Sequence, residues 1–206
     1  MCGIAGYFNI STQTSPDYRQ LECMIHQLRH RGPDGYGFYG DERVGLAHAR
    51  LSIIDLEGGW QPIHNEDKTL WVIFNGEIFN YQELRKELEA RGHRFSSASD
   101  TEVIVHLYEE KGEDCLADLN GQFALVVYDK KRGSLFIARD RFGIRPLYYS
   151  SHGASFYFAS EIKAIFAADA TIPRAFNPGV IQDVFTFWTP VAPETASRGV
   201  FPLAAG

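Results

Sequence analysis

The stretch Phe123-Ala124-Leu125-Val126-Val127-Tyr128 is a continuous apolar run without polar alternation. A run of this length predicts a β-strand that is covered on both of its faces. The polar segment 129–133 that follows it is typical of a hairpin loop, and residues 134–138 are the predicted return strand. A doubly covered strand that enters a hairpin favours stacked antiparallel sheets over a doubly wound parallel sheet.

The rest of the chain extends this pattern of hairpin strands and separate helices. The remaining predicted strands are 4–10, 36–39, 44–49, 70–74, 147–150 and 156–159, and the predicted helices are 18–28, a helix that follows Asn80, 101–110 and 162–167. Asn80 with Glu83, and Ser99 with Glu102, have the spacing of a capping box at the start of a helix. The helices are therefore expected to lie outside the sheets.

The composition changes after about residue 168. Five prolines fall between residues 173 and 202, and 179–187 is the one helix predicted there. The last residues suggest no closing element. We therefore predict one domain over residues 1–167, with 168–206 as a linker and the start of a second, truncated domain.

Length, charge and cysteine content limit the class of protein. A chain of 206 residues with 45% hydrophobic residues can bury a sizeable core, and its net charge of −6 argues against nucleic-acid binding. Its three cysteines lack metal-ligand spacing, so no metal site is predicted, and their sparse number indicates a reducing compartment. Neither a signal peptide nor a membrane-spanning run is visible, and we expect a soluble cytoplasmic protein.

Cys2 is the first candidate for chemistry. Removal of Met1 would leave Cys2 at the N-terminus, with a thiol nucleophile and an α-amine on one residue. The amine has an ordinary pKa of about 7.7–8.0, which suits a general base near neutral pH. The alternative is that Cys2 is only a small buried hydrophobe at the start of a strand.

Three further positions each allow a structural and a functional interpretation. Asn75-Gly76 could form a turn at a strand end, or an oxyanion hole from a side-chain amide and a backbone N–H. Asp100 could complement the dipole of the helix that follows, or bind a substrate ammonium group. Arg50 could be a surface charge, or bind a carboxylate through its two-pronged guanidinium.

The order of these residues along the chain resembles a known family. The motifs that carry the resemblance are CGIAG at 2–6, RHRGPDG at 29–35, LAHARLSIID at 46–55, FNGEIFNY at 74–81, SDTE at 99–102 and ARDRFGIRPLYY at 138–149. Together they are similar to the N-terminal glutaminase domain of glutamine-dependent asparagine synthetases, which are class II glutamine amidotransferases of the N-terminal-nucleophile hydrolase fold. The similarity runs from residue 2 to about residue 167.

The resemblance implies a fold and a set of roles. The fold would be α+β, a four-layer αββα sandwich of two antiparallel sheets flanked by helices. Cys2 would be the nucleophile and its freed α-amine the base, while Asn75 and Gly76 would form the oxyanion hole. The substrate-binding residues would be Arg50 for the α-carboxylate, Glu77 and Asp100 for the α-amino group, and the backbone of Leu51, Ser52, Ile53 and Ile54 along the pocket.

The resemblance also implies partners. The substrate would be L-glutamine, hydrolysed without a cofactor, and the ammonia would pass to a C-terminal synthetase domain, in cis or in trans, that uses ATP and Mg to amidate aspartate. This chain contains no Ser-Gly-Gly-x-Asp-Ser pyrophosphate loop, so it is not expected to make asparagine alone. The resemblance is also compatible with a homodimer of this chain. An amidotransferase for another acceptor and a non-catalytic structural module remain alternatives.

Overall fold

Two antiparallel sheets form the centre of the structure, a computed structural model that describes residues 1–11, 17–191 and 193–206. The strands are β1 Gly3–Asn9, β2 Gly35–Gly40, β3 Val44–Arg50, β4 Ile63–His64, β5 Leu70–Ile78, β6 Gly121–Asp129, β7 Ser134–Arg139, β8 Tyr148–His152, β9 Ser155–Ala159 and β10 Phe201–Pro202. The helices are α1 Tyr18–His26, α2 Tyr81–Ala90, α3 Glu102–Lys111, α4 Ile162–Ala168 and α5 Pro178–Phe187, with a 3-10 helix at Gly112–Ala117.

One sheet has the strand order β10-β8-β9-β1-β3-β2, and the other has the order β4-β5-β6-β7. All of their pairings are antiparallel. The prediction of stacked antiparallel sheets from the run 123–128 is therefore confirmed.

Three buried layers separate the sheets and helices. The layer between the two sheets includes Ile4, Leu46, Ile73 and Val126. Helices α1 and α4 cover the outer face of the six-stranded sheet, and α2 and α3 cover that of the four-stranded sheet. The order of layers is thus αββα, as the resemblance implied.

Strand β5 is longer than the sequence indicated. It continues from Phe74 to Ile78, and Asn75 and Gly76 pair in register with Ala124 and Phe123 of β6. The interpretation of Asn75-Gly76 as a turn is therefore wrong. The local turn preference of Asn-Gly is overridden by nine residues of continuous pairing between β5 and β6.

Asn80 is the N-cap residue of α2, as predicted, but neither predicted capping box forms its side-chain hydrogen bonds. The side chain of Asn80 donates to the Asp118 carbonyl and accepts from the Asn120 N–H, so it joins two loops instead of capping α2. The Glu102 carboxylate accepts hydrogen bonds from Ser96 and Ser97, not from the backbone of Ser99.

The segment 168–206 packs onto the rest of the structure. Ile172 and Val200 belong to the buried layer beneath α1 and α4, and β10 pairs with β8 through Phe201 and Tyr149. The expectation that no element closes the chain is wrong, while the domain boundary at residue 167 stays a prediction. Within the described ranges, no helix has both the length and the apolar character needed to cross a membrane.

Candidate active site

The candidate site lies at one end of the layer between the sheets. Side chains alternate between the two faces of a strand, so residues two apart point the same way. Cys2 is two residues before Ile4, Arg50 is four after Leu46, and Asn75 is two after Ile73. All three candidates therefore extend the inter-sheet face where the core layer ends.

A pocket at this place gathers the residues predicted from the sequence. It is lined by Cys2, Arg50, Leu51, Ile53, Ile54, Asn75, Gly76, Glu77 and Asp100, together with Met1, His48, Gly59, Gln61, Phe74, Ser99, Thr101 and Arg145. Ser52 is the predicted site residue that does not line it, and its backbone N–H donates instead to the Asp34 carboxylate at 2.7 Å.

The thiol of Cys2 is held against the backbone of Leu51. The Leu51 N–H donates to Sγ at 3.4 Å, and the thiol faces the Leu51 carbonyl at 3.6 Å. The Cys2 carbonyl accepts from Arg31 Nε at 3.0 Å, and Arg31 pairs with Glu161 at 3.0 Å. Burial raises the pKa of the Cys2 thiol, so it is protonated at neutral pH and needs a base to become a nucleophile.

The terminal amine, whose charge acts on this thiol, belongs to Met1, the residue before Cys2. Burial, and secondarily the charges of Arg31 and Arg145, lower the pKa of that amine. A lowered pKa favours the neutral amine, which can accept a proton. Loss of Met1 would bring the terminal amine onto the residue that carries the thiol.

Arg50 is buried, with 2% of its surface exposed, so the interpretation as a surface charge is wrong. Its guanidinium lies over the Trp60 ring at 4.6 Å, and Nη2 donates to the Asp55 carbonyl. Nη1 has no hydrogen-bond partner among the described residues. A buried charged donor without a partner is costly, and an anionic ligand in the pocket would satisfy it.

Asn75 presents a second buried donor, since its Nδ2 also has no hydrogen-bond partner among the residues described. The backbone N–H of the neighbouring Gly76 is free of the pairing with β6. In β6, both the N–H and the carbonyl of Phe123 bond to Asp140, at 3.1 and 2.8 Å, on the side away from β5. Gly76 and Phe123 are therefore a non-hydrogen-bonded pair, and the Gly76 N–H points away from β6.

Asp100 supplies negative charge to the pocket together with Glu77. Its Oδ2 accepts from the Ile78 N–H at 3.0 Å, so the carboxylate is held by β5 and not by the start of α3. Burial, and to a lesser extent the charge of Glu77, raise the pKa of Asp100. Two carboxylates at one end of a pocket can bind an ammonium group.

Several lining residues were missed by the sequence analysis. His48 is buried on the inter-sheet face beside Arg50, and burial and that charge lower its pKa to about 3, so it is neutral. Sequence analysis could have identified His48, because it lies two residues before Arg50 on a strand and therefore faces the same side. Gln61 bridges the Phe74 N–H, at 2.6 Å, and the Thr101 hydroxyl, at 3.1 Å, and no local pattern indicates this contact.

Comparisons with known proteins show the family of this chain. A family model described as a glutamine amidotransferase domain matches residues 1–206. Over 88% of its length the chain is 47% identical to the glutamine-hydrolyzing asparagine synthetase 3 of Bacillus subtilis (strain 168), of which it covers 30%. It is 44% identical, over 84% of its length, to the glutamine-hydrolyzing asparagine synthetase B of Escherichia coli (strain K12), of which it covers 31%. The chain thus spans about a third of the length of these curated relatives.

A solved structure shares the fold. Glutamine phosphoribosylpyrophosphate amidotransferase from B. subtilis, solved in complex with ADP and GMP, superposes with a TM-score of 0.67 at 23% identity. The match covers 81% of this chain and 43% of that one.

Proposed function

This chain belongs to the glutamine amidotransferase domain family, and from that membership we propose that it hydrolyses L-glutamine to L-glutamate and ammonia. The observation that carries the proposal is a pair of buried donors, Arg50 Nη1 and Asn75 Nδ2, in the same pocket as the Cys2 thiol and without a hydrogen-bond partner in the described part of the chain. Glutamine carries an α-carboxylate for the Arg50 donor, a side-chain amide for the Asn75 donor and the thiol, and an α-ammonium for the carboxylates of the pocket.

The predicted site residues match the polar groups of this substrate. The α-carboxylate accepts from Arg50 Nη1, and the α-ammonium lies between Glu77 and Asp100. The amide carbonyl oxygen then faces Asn75 Nδ2 and the Gly76 N–H. These two donors stabilise the oxyanion that forms when the carbonyl carbon becomes tetrahedral.

The chemistry requires Met1 to be removed first. The Cys2 α-amine takes the thiol proton, and the thiolate sulfur forms a bond to the amide carbon. Collapse of the tetrahedral intermediate breaks the C–N bond, and the amine returns the proton to the departing ammonia. Water, deprotonated by the same amine, then cleaves the γ-glutamyl thioester and releases glutamate and the free thiol.

The acceptor of the ammonia lies outside this chain. We propose aspartate, amidated with ATP and Mg by a C-terminal synthetase domain in cis or in trans, because the relatives described above are named asparagine synthetases. A different acceptor is the alternative, and an assay of the whole protein with aspartate and ATP distinguishes the two. A cytoplasmic location and a homodimer also stay predictions.

The glutaminase proposal is tested by replacing Cys2 with alanine. Cys2→Ala should abolish glutamate release from glutamine while circular dichroism and melting temperature stay those of the wild type. The matched control is Cys23→Ala, since Cys23 is exposed on α1 and outside the pocket. Intact-mass measurement establishes the loss of Met1 in each preparation, and undiminished hydrolysis by Cys2→Ala would reject the proposal.

A further inference from the structure

A second group of ligating side chains lies outside the active-site pocket. Glu66 is in the loop between β4 and β5, His93 follows α2, and His106 and Glu109 are one turn apart on α3. One possible ligand atom from each of these four residues lies within 4.8 Å of all the others. Three separate segments of the chain therefore bring two imidazoles and two carboxylates together.

The two histidines are oriented in the same way. His93 Nδ1 lies 3.5 Å from one carboxylate oxygen of Glu66, and His106 Nδ1 lies 3.5 Å from the other. Each Nε2 faces a carboxylate on the outside of the group: Glu110 at 3.2 Å for His93, and Glu102 at 3.7 Å for His106. A metal-binding histidine characteristically presents one ring nitrogen to the ion while the other faces a carboxylate that orients the ring.

His106 gives the strongest indication that a ligand is needed. It is fully buried, and neither of its ring nitrogens makes a hydrogen bond with any described residue. Buried polar atoms are almost always satisfied, so a buried ring that approaches two carboxylates at 3.5 and 3.7 Å without a hydrogen bond calls for a specific explanation. A cation bound at Nδ1 would supply the missing partner.

The carboxylate behind His106 is held rigidly. Glu102 is 1% exposed and accepts hydrogen bonds from the backbone N–H groups and the hydroxyls of Ser96 and Ser97. These four hydrogen bonds fix the Glu102 carboxylate before any ligand binds, with one of its oxygens 3.7 Å from His106 Nε2.

The two nearer carboxylates are positioned by partners of their own. Glu66 Oε1 accepts from the Arg94 N–H at 2.8 Å, and Glu109 Oε2 accepts from Asn65 Nδ2 at 3.2 Å. Both carboxylates are exposed, so small side-chain rotations can bring their oxygens closer to the two histidines. Two carboxylates balance the charge of a divalent cation, and imidazole ligands add no charge of their own.

We propose that Glu66, His93, His106 and Glu109 form a binding site for a divalent first-row metal ion, with Zn²⁺ as the ion that best fits the donors. Zn²⁺ accepts imidazole nitrogen and carboxylate oxygen in tetrahedral sites, whereas Ca²⁺ and Mg²⁺ prefer oxygen ligands alone. The ion would join the β4–β5 loop and the end of α2 to α3. The segment that leads into α3 contains Asp100 and Thr101, so this cross-link would brace one wall of the active-site pocket.

The test is Zn²⁺ binding by the purified, metal-free chain. Equilibrium dialysis should find one saturable ion per chain, and the melting temperature should rise with Zn²⁺ concentration because the ion binds the folded state. His93→Gln and Glu109→Gln should each weaken Zn²⁺ binding at least about tenfold. Mutation of a residue that only supports a metal ligand typically costs about 10- to 100-fold in affinity, and loss of a ligand itself should cost no less. The matched control is His152→Gln. His152 lies in β8 of the other sheet and contacts Thr171, so its replacement should leave Zn²⁺ binding unchanged.

The two ligand variants are chosen because neither side chain is fully buried, so both proteins are expected to fold. A parallel titration with Co²⁺ reports the ligand type, since thiolate ligation produces a charge-transfer band that nitrogen and oxygen ligands lack. The proposal is overturned if the wild type shows no saturable binding, if either ligand variant keeps wild-type affinity, or if the Co²⁺ spectrum carries the thiolate band.

Discussion

Replacing Asn75 with alanine should slow glutamine hydrolysis while leaving the affinity for glutamine nearly unchanged. Asn75 Nδ2 has no hydrogen-bond partner among the described residues, so removing it breaks no such bond in the free protein. Loss of one oxyanion-hole donor typically lowers kcat by about 100- to 1,000-fold, or about 2.7–4 kcal/mol of transition-state stabilisation. Residual activity should remain, because Gly76 lines the same pocket and its N–H is a second donor.

The assay is steady-state kinetics of glutamate release, with protein from which Met1 has been removed. Asn75→Asp is a companion variant that keeps the side-chain volume but replaces the donor with an acceptor, and it should lose at least as much activity. Asn120→Ala, at an exposed position outside the pocket, is the matched control and should behave like the wild type. A kcat for Asn75→Ala within about threefold of wild type, less than the loss of any oxyanion donor would give, would refute this reasoning.

Three other outcomes are expected. Arg50→Lys should raise KM for glutamine by about tenfold or more, since a charge-assisted hydrogen bond contributes about 1.5–3 kcal/mol, and steady-state kinetics showing an unchanged KM would contradict this role. Gly76→Ala should destabilise the fold by about 1–3 kcal/mol through overpacking, because an added Cβ would lie 2.2 Å from the Gln122 carbonyl oxygen; an unaltered melting temperature would argue against it. Glu102→Gln should make the free energy of unfolding less sensitive to acid. The pKa of Glu102 is lowered to about 2 from an ordinary 4.5, so its ionised form stabilises the fold above pH 4.5, and this contribution is lost as the pH falls towards 2. Urea unfolding at pH values above and below that range measures the free energy of unfolding. An equal loss of stability on acidification in wild type and variant would count against this role of Glu102.

The sequence predicted the layers of the fold because the strands and helices are long and patterned. The run 123–128 indicated a doubly covered strand, and β6 places alternate residues in the inter-sheet layer and in the layer beneath α2 and α3. The two-residue strand β10 could not be predicted in this way. It has no periodicity of its own and exists because Phe201 meets Tyr149, 52 positions earlier in the chain.

The candidate site was predicted from the order of its motifs, and local chemistry alone did not settle any single residue. Asn75-Gly76 has the composition of a turn, and only pairing with β6 makes it part of a strand. The contact between the Arg50 guanidinium and the Trp60 ring could not be predicted either, because it joins residues from separate segments of the chain. The cluster around His106 was missed for the same reason, because its four residues come from three segments and have no spacing that marks a metal site.

The alternation that places Cys2, Arg50 and Asn75 on the inter-sheet face also restricts which insertions and deletions this domain can tolerate. Deleting one residue between Leu46 and Arg50 would turn the guanidinium towards α1 and put Leu51 at the position that faces the pocket. Deleting two would restore the facing but shift the charge by about 7 Å along the strand, the rise of two residues. Length variation among functional versions of this domain should therefore fall in the loops and be excluded from β1, β3 and β5.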